Sequence, residues 1–398
     1  MKIYYGKAIY NHKEISAAVR VLKKTNLNLV DGPAVKDLEK KVAKLFGKNY
    51  GLMVNSGSSA NLLGLASFNF KKGSEVITPS LTFSTTISPI YQLGLVPHFV
   101  DVDESKFVTN IDQIEKCINK KTVALMIPNL LGNIPEWEKI SKIAKKYKLK
   151  VIEDSADTIG YSYKNSNTGK FSDVTTNSFY ASHIITGAGF GGIVVFNDKK
   201  LYEKAKLLRG WGRSSAIFNE SEGIKLRFNK KVDGIPYDGK YIFSALGYNF
   251  LPSEISAAFA LEQLKKLKKN ISTRIKNFEY LNKFFQKYKN YIKLPLQGKN
   301  VRTGWLAFPL VIKEKSKIQR KNLQIFLEKK GIQTRTIFTG NILRQPIMKN
   351  QYYKKHKYCS KISDDVMKNG ILIGCHHGLK LNELKFMCKA FDEFFKKN

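Results

Sequence analysis

Two stretches of the chain hold residues whose types and spacing could bind a phosphate or move a proton, and one of them is 178–192, SFYASHIITGAGFGG. Its histidine, His183, can exchange a proton near neutral pH. Gly187, Gly189 and Gly192 have the GxGxxG spacing of a dinucleotide-binding turn, but that turn holds pyrophosphate only where a helix begins at the glycines. The residues that follow, GIVVFND, have a strand pattern. We therefore disfavour dinucleotide binding and expect the glycines to form a tight turn between two strands.

The other stretch is 55–61, NSGSSAN, which follows the strand pattern YGLMV and precedes the apolar helical pattern NLLGLASF. Free backbone amides at the start of that helix, with the hydroxyls of Ser58 and Ser59, suit a phosphate group. An ordinary helix cap without a ligand is the alternative. Asp154, in VIEDSAD, ends another strand pattern at the sheet edge where open α/β folds bind ligands. A carboxylate there can pair with a protonated pyridine nitrogen.

A folded scaffold must bring these separated residues together. Strand and helix patterns alternate from residue 13 to about 215 and can supply it. Residues 34–45 place apolar side chains three and four positions apart, which predicts an amphipathic helix. Short runs rich in Val, Ile and Phe are typical of strands buried in a mostly parallel sheet, with helices such as PEWEKISKIAKKYKL as the crossovers. We predict an α/β fold with strands in YGLMVN, SEVITPS, VPHFVDV, TVALMIPN, KVIEDS, NSFYAS and GGIVVFN.

A change of pattern near residue 254 indicates a second domain. A helical pattern runs from about 254 to 288 and is long enough to connect two domains. Beyond it we predict strands in WLAFPLVI and QTRTIF and helices in IQRKNLQIFLEKKG and ELKFMCKAFDEFFKK. We therefore expect a large α/β domain over residues 1–265 and a small C-terminal α+β domain over residues 266–398.

Composition narrows the classes of function. The formal net charge is +36, yet only nine of the 68 basic residues are arginine, and the lysines are scattered over apparent helix faces. Base-specific readers rely on arginine forks and a recognisable module, so we expect a solvated lysine-rich surface and no nucleic-acid or membrane partner. The four cysteines form no CxxC pair, which argues against a disulfide framework and a cysteine metal site. Neither a signal-peptide pattern nor a membrane-spanning run is found, which predicts a cytoplasmic protein.

The motifs above, with LTFSTT and GYNFLPSEISAAFALEQL, resemble the DegT/StrS-like sugar-nucleotide aminotransferases, and the resemblance covers nearly the whole chain. That family has the pyridoxal-phosphate (PLP) fold type I, with a large, mostly parallel sheet and a smaller C-terminal domain. The resemblance implies a homodimer with shared active sites. It also implies a cofactor-binding set: Gly57, Ser58, Ser59 and Ser178 at the cofactor phosphate, Phe83 stacked on the ring, Asp154 at the ring nitrogen, Asp157 near the ring hydroxyl, and Asn249 reaching the phosphate in the neighbouring subunit.

His183 stands where the family normally has the lysine that ends the motif SFYxxK. The substitution resembles a subgroup, the sugar-nucleotide 3-dehydratases, which remove the hydroxyl at sugar carbon 3. Lysine both holds the cofactor aldehyde and moves a proton, whereas imidazole can only move the proton. The resemblance thus implies pyridoxamine phosphate (PMP) as the working cofactor, a nucleotide-linked 4-keto sugar as substrate and glutamate as amino donor. It also implies that His183, with an ordinary pKa near 6.5, is the acid and base.

Departures from the family pattern leave the substrate open. In QTRTIFTGNILRQP, Arg335 and Arg344 are candidates for the substrate diphosphate, with solvated surface arginines as the alternative. Subgroup members that act on CDP-linked sugars carry an iron–sulfur cluster on cysteines that follow a WGR motif. Here SSAIFNESEG follows Trp211-Gly212-Arg213, so we expect no cluster.

The turn GAGFGG replaces the usual GEGG or IEGG, with Gly189 near the position of the family's glutamate. GDP- and CDP-linked sugars, hexoses and heptoses therefore all stay open as substrates. An aminotransferase that works without the lysine and a non-catalytic PLP-binding regulator are the alternative functions.

Overall fold

The computed structural model describes residues 2–24, 28–218 and 223–397. Its strands are β1 (Tyr50–Val54), β2 (Glu75–Pro79), β3 (Val96–Val100), β4 (Thr122–Pro128), β5 (Lys150–Asp154), β6 (Ser162–Tyr163), β7 (Ser166–Asn167), β8 (Val174–Ser178), β9 (Gly192–Phe196), β10 (Lys230–Val232), β11 (Ile235–Tyr237), β12 (Ile292–Lys293), β13 (Val301–Arg302), β14 (Phe308–Ile312), β15 (Lys354–Lys355) and β16 (Gly370–Ile373). Its helices are α1 (His12–Leu22), α2 (Pro33–Leu45), α3 (Gly57–Ala66), α4 (Ser84–Gln92), α5 (Ile111–Cys117), α6 (Trp137–Lys146), α7 (Lys199–Arg209), α8 (Ile224–Phe228), α9 (Glu254–Phe285), α10 (Arg320–Lys329), α11 (Lys361–Asn369) and α12 (Leu381–Lys397).

In the described chain, the large sheet has eight strands in the order β1-β9-β8-β5-β4-β2-β3-β15. Strand β9 runs antiparallel to both of its neighbours, β1 and β8, and the other neighbouring pairs are parallel. All residues of β2, β8 and β9 are buried, as expected for strands that helices cover on both faces. The prediction of an α/β fold with a mostly parallel sheet is confirmed.

One edge of this sheet collects the strand ends that carry the predicted site. Strands β5 and β8 are parallel neighbours, with Asp154 opposite Thr176. Across the next two pairings, Ser178 faces Gly192 and Gly192 faces Val54. Because these three residues share one register, the start of α3, which follows β1, lies beside the end of β8. Residues far apart in the sequence are thereby brought to one place.

Helix α9 is 32 residues long and begins where the sequence predicts. The hydroxyl of Ser253 caps it and accepts a hydrogen bond from the amide of Ser256 at 3.4 Å. The carboxylate of Glu254 accepts hydrogen bonds from the amides of Ala34 and Val35, at 2.6 and 3.1 Å, at the start of α2. These two orphan amides of α2 are thus satisfied from another helix, which fixes α2 against α9. The helix predicted over residues 34–45 is confirmed with one added residue, Pro33.

The C-terminal part of the chain contains the antiparallel sheet β12-β14-β16, with α10 and α12 formed from the two sequences predicted to be helical. Its hydrophobic core also takes Ile3, Leu81 and Phe107 from the N-terminal part of the chain. The division of the chain between residues 265 and 266 therefore stays a prediction.

The strand predicted in QTRTIF is wrong. Arg335 and Leu372 exchange two backbone hydrogen bonds, of 3.0 and 2.7 Å, but the pairing is an isolated bridge and does not continue. The chain turns away soon afterwards, because Phe338 and Gly340 have φ of 47° and 66°, in the left-handed region that ends extended structure. An apolar and β-branched pattern predicted extended backbone here, but a strand also needs a partner along its length.

Residues 179–191 join β8 to β9 and form a longer loop than the tight turn that we predicted. The two strands are antiparallel neighbours, and the glycines do form a short turn within the loop, where the amide of Phe190 donates to the carbonyl of Gly187 at 3.2 Å. The strand β9 follows at once, so no helix begins at the glycines. The remaining loop residues carry His183 over the edge of the sheet, which a tight turn would not allow.

Candidate active site

A cavity of about 500 Å³ lies at the edge of the large sheet where β1, β5 and β8 end. Of the residues predicted from the sequence, eight line it: Gly57, Ser58, Phe83, Asp154, Asp157, Ser178, His183 and Arg335. The side chains come from α3, from the start of α4, from the strand ends and from the C-terminal part. The fold thus brings most of the predicted site together around one volume large enough for a small ligand.

The first turn of α3 forms one wall of the cavity and is built for close approach. The hydroxyl of Ser56 caps the helix by accepting a hydrogen bond from the amide of Ser59 at 3.1 Å, and the two hydroxyls lie 3.0 Å apart. Ser59 is therefore occupied within the cap and does not line the cavity, while Ser58 does. A Cβ on Gly57 would lie 2.5 Å from the Cβ of Ser178, so only glycine lets the helix start approach the end of β8.

Asp154 is held at the end of β5 by donors from two helices. Its Oδ2 accepts hydrogen bonds from Nδ2 of Asn61 and Oγ1 of Thr86, each at 2.8 Å. Asn61 is fixed in turn, because its Oδ1 accepts from Oγ1 of Thr176 at 2.6 Å. These hydrogen bonds fix the orientation of the Asp154 carboxylate at the cavity wall. A carboxylate that pairs with a ring nitrogen has to be held in this way. Neither Asn61 nor Thr86 was found from the sequence, since no local motif marks a contact between α3, α4 and β5.

His183 is largely buried and oriented by its own backbone neighbourhood. Its Nδ1 lies 3.3 Å from the carbonyl oxygen of Ser178, which can only accept, so we assign the ring proton to Nδ1. The neutral ring then presents an unprotonated Nε2, which lies 3.8 Å from Oδ1 of Asp157. Burial lowers the pKa of His183 to about 4, opposed by the Ser178 carbonyl and assisted by the positive charge of Arg274. His183 is therefore a neutral base at physiological pH, by a wider margin than its ordinary pKa suggested.

Asp157 lies beside His183 and is shifted in the opposite direction. Burial, followed by the negative charge of Asp154, raises the pKa of Asp157 to about 7. One oxygen, Oδ2, accepts a hydrogen bond from the amide of Leu131 at 2.9 Å. The imidazole of His183 is thus harder to protonate than usual, and the carboxylate of Asp157 is easier to protonate than usual. Neighbouring groups whose pKa values are shifted apart in this way are typical of sites that transfer protons.

Aromatic side chains surround the opening of the cavity. Phe83 is 50% exposed, and its ring meets that of Phe338 edge to face at 6.5 Å. Tyr180 and Phe190, on the loop between β8 and β9, also line the cavity and are exposed. Exposed rings of this kind suit a flat ligand that stacks between them. Of these four residues the sequence analysis identified only Phe83.

Of the three other predicted residues, one lies at the cavity and two lie elsewhere. Arg335 lines the cavity, with its Nη1 donating to the carbonyl of Thr334 at 2.7 Å. Arg344 does not line it, and forms an ion pair of 2.7 Å with Asp364 on the surface. Asn249 lies outside the cavity too, where its backbone pairs with Gly210. The assignments of these residues to ligands stay predictions.

The described part of the cavity wall contains no lysine. Nor do three or more His, Cys, Asp or Glu side chains of the described residues gather in a way that could hold a metal ion. Within the same ranges, every helix is too short or too polar to cross a membrane.

The model of the DegT/DnrJ/EryC1/StrS aminotransferase family matches residues 9–392, which include every strand and helix that builds this cavity. The chain belongs to the DegT/DnrJ/EryC1/StrS aminotransferase family.

Three relatives from this family cover most of the chain. The lipopolysaccharide biosynthesis protein RfbH of Salmonella typhimurium is 35% identical over 368 residues, 90% of this chain and 84% of that protein. The GDP-4-keto-6-deoxy-D-mannose 3-dehydratase of Escherichia coli O55:H7 is 34% identical over 89% of this chain and 91% of its own length. The dTDP-4-dehydro-2,6-dideoxy-D-glucose 3-dehydratase of Saccharopolyspora spinosa is 34% identical over 94% of this chain and 82% of its own length.

Two solved structures extend this similarity to the fold. The E. coli GDP-4-keto-6-deoxy-D-mannose-3-dehydratase with bound hydrated PLP is 31% identical, with a TM-score of 0.87 over 98% of this chain and 100% of that chain. A GDP-4-keto-6-deoxymannose-3-dehydratase with a trapped PLP-glutamate geminal diamine is 30% identical, with a TM-score of 0.86 over the same shares. The prediction of a PLP fold type I aminotransferase-like structure is confirmed.

Proposed function

We propose that this protein is a PLP/PMP-dependent 3-dehydratase that removes the 3-hydroxyl of a nucleotide-linked 4-keto-6-deoxy sugar. The observation that carries the proposal is His183, which presents a neutral Nε2 where the family has its lysine, in a cavity whose described wall contains no lysine. The names of the relatives support the same reaction class. A cytoplasmic role in making the deoxysugars of surface polysaccharide is consistent with the similarity to RfbH.

The residues around the cavity fit the cofactor. Gly57, Ser58 and Ser178 would hold its phosphate, since they combine free helix amides, hydroxyls and a backbone without obstructing side chains. Asp154 would pair with the ring nitrogen and Phe83 would stack on the ring, with Asp157 near the ring hydroxyl. Pyridoxamine phosphate, when bound, supplies an amine that combines with the 4-keto group and a ring that withdraws electrons while the 3-hydroxyl leaves.

His183 then does the proton chemistry. With the cofactor bound, Nε2 of His183 would accept a proton from the cofactor methylene and return it to the departing 3-hydroxyl, which would leave as water. The bond from Nδ1 to the Ser178 carbonyl holds the ring in the required tautomer throughout. Because the described cavity wall offers no lysine to retain the cofactor, the unsaturated amino sugar would leave the site, and water would hydrolyse its imine tautomer to a 3-deoxy-4-keto sugar and ammonia. Glutamate would then supply the next amine. A similar structure holds an adduct of PLP with glutamate, which supports glutamate as the donor.

The chain would act as a homodimer, without an iron–sulfur cluster. Segments 211–218 and 223–246 contain many large apolar side chains that are exposed in the single chain, among them Leu246, which is 98% exposed. Apolar surface of this extent indicates a protein interface, and a second copy is the occupant that the family resemblance implies.

The test is to supply the protein with PLP, glutamate and either GDP- or CDP-linked 4-keto-6-deoxyhexose. Ammonia should appear in step with the dehydrated sugar, and the ratio of rates identifies the nucleotide. The variant His183→Asn should lower the rate about 100- to 10,000-fold, the usual contribution of a general acid and base. His12→Asn, which changes an exposed histidine, is the matched control and should leave the rate unchanged.

Other outcomes identify the alternatives. A stable amino sugar with no free ammonia indicates an aminotransferase that works without the lysine. PLP binding without turnover of any 4-keto sugar indicates a non-catalytic regulator.

A further inference from the structure

The loop 129–132 (NLLG), which follows β4, holds one residue in a strained conformation behind the cavity wall. Leu131 is fully buried and has φ of 60° and ψ of 9°, in the left-handed region that large side chains rarely adopt. Such a conformation persists only where the surrounding structure enforces it, and it occurs often at active sites. Here it directs the amide of Leu131 at Oδ2 of Asp157, 2.9 Å away. The groups that enforce the conformation therefore also set the position of Asp157.

Segment 303–306 (TGWL), from the C-terminal part of the chain, lies against this loop. The amide of Leu306 donates to the carbonyl of Leu131 at 2.7 Å, and the hydroxyl of Thr303 donates to the carbonyl of Gly132. Gly132 has φ of 86°, and a Cβ there would lie 3.2 Å from the backbone nitrogen of Leu306. The two backbones can approach this closely because residue 132 is glycine. Hydrogen bonds to two consecutive carbonyls thus hold the loop in its strained conformation.

Arg274, on α9, holds that segment from the other side. Its Nη1 donates to the carbonyls of Trp305 and Leu306 at 3.1 and 3.0 Å, and its Nε donates to Nδ1 of His377 at 3.2 Å. Trp305 is fully buried with φ of 43°, so this segment is strained as well. A buried guanidinium is costly unless its donors are used, and its planar fork fixes several acceptors in one geometry. Arg274 therefore immobilises the backbone at Trp305 and Leu306.

The hydrogen bonds form a continuous path to the two residues proposed to transfer protons. Leu306 accepts from Arg274 through its carbonyl and donates to Leu131 through its amide. Leu131 then donates to Asp157, whose other oxygen, Oδ1, lies 3.8 Å from Nε2 of His183. Polar groups linked in series strengthen one another. The position of a carboxylate at the cavity thus depends on a cation buried behind it.

We propose that Thr303 and Arg274 are positioning residues for Asp157. By holding the loop 129–132 in its strained conformation, they keep the Asp157 carboxylate directed beside His183. Neither of them lines the cavity, so they act through Asp157 and not on a ligand. The use of Asp157 at the ring hydroxyl of the cofactor rests on the proposed function. Without either residue we expect the loop to relax to an ordinary backbone conformation, which turns its amide away from the carboxylate.

The test is a double-mutant cycle in PLP affinity, measured by absorbance titration of the full-length protein. Thr303→Val removes the hydroxyl at nearly constant volume and should weaken PLP binding about fivefold, the loss expected for one displaced hydrogen bond. In the Asp157→Ala background no carboxylate remains to be positioned, so the same change should alter PLP affinity less than about twofold. Thr303→Ser keeps the hydroxyl and should bind PLP as the unaltered protein does. Arg274→Lys keeps the charge but loses the planar fork, and its effect should depend on Asp157 in the same way.

The matched control is Thr122→Val. Thr122 is buried too, and its hydroxyl accepts a hydrogen bond from the amide of Asn119 at 3.0 Å, but it lies at the end of β4 far from the cavity. This variant should leave PLP affinity unchanged. Melting temperatures establish that each variant is folded.

Equal weakening of PLP binding by Thr303→Val with and without the Asp157 carboxylate overturns the proposal, because the hydroxyl would then only stabilise the core. Unchanged PLP affinity of Thr303→Val overturns it as well. If the cycle gives the expected dependence but the unaltered protein dehydrates no 4-keto sugar, the positioning role stands and the proposed function fails. Dehydration without that dependence gives the reverse result.

Discussion

At the scale of residues, the environment of His183 and Asp157 decides what the site can do. The sequence pointed to Asp154 through its residue type and its position at a strand end, which are local properties, whereas Ser178 came from the resemblance to the family and His183 from its chemistry together with that resemblance. The sequence could not predict that burial lowers the pKa of His183 to about 4 and raises that of Asp157 to about 7, since both shifts arise from tertiary packing. Asn61 and Thr86 were missed for the same reason.

The raised pKa of Asp157 predicts a measurable pH dependence of stability. Between its ordinary value of 3.8 and about 7, folded Asp157 keeps a proton that the unfolded chain has lost. The free energy of unfolding therefore falls as the pH rises through this window. Asp157→Asn has no proton to lose, so the stability of the variant relative to the unaltered protein should increase with pH.

Urea unfolding of the cofactor-free protein at about pH 4.5 and about pH 7 measures this difference. Asp112→Asn, which changes an exposed acid at the start of α5, is the control and should show no such trend. A constant difference between Asp157→Asn and the unaltered protein at the two pH values would show that Asp157 is ionised in the folded chain.

At the scale of elements, periodicity predicted the helices and buried strands well, because each is a repeating local pattern. It failed at QTRTIF, residues 333–338, where strand-like residues meet β16 only once, and at NSFYAS, residues 177–182, of which only Asn177 and Ser178 belong to β8. In both places the outcome depends on contacts with distant segments. Arg335 lies in the first of these segments and His183 directly follows the second, so two of the proposed site residues stand on backbone that local patterns did not predict.

The close contact between α3 and β8 predicts the effect of a single methyl group. Gly57→Ala would bring its Cβ to 2.5 Å from the Cβ of Ser178, and relief of such overpacking costs about 1–3 kcal/mol. Because both residues lie at the proposed phosphate position, PLP affinity in an absorbance titration should fall together with the free energy of unfolding.

Gly210→Ala is the control, since a Cβ there meets its nearest atom at 3.8 Å. Addition of Ser178→Gly to Gly57→Ala should restore stability but not PLP affinity. Equal PLP affinity of Gly57→Ala and Gly210→Ala would mean that the cofactor phosphate binds elsewhere.

At the scale of the whole molecule, the proposed homodimer makes each site depend on two chains. His183→Asn and Asn249→Ala would each inactivate the dimer. A mixed dimer of the two variants contains one site with both native residues, because Asn249 comes from the other protomer. Unfolding and refolding the variants together should therefore recover roughly a quarter of the wild-type rate, as random pairing predicts. No recovery above the separate variants, with mixed dimers demonstrated by a tag, would show that Asn249 does not act across an interface.

The position of β9 has a consequence for how the site comes into being. This strand lies between β1 and β8 and pairs Tyr50 with Phe196, so the two walls of the phosphate position meet only after the chain has closed a very long loop. Contacts of such sequence separation form slowly and late. We therefore expect the cofactor to bind only after the large sheet has formed. On refolding, its spectral change should follow the recovery of helix and sheet, and a chain still emerging from the ribosome would bind no cofactor before β9 is synthesised.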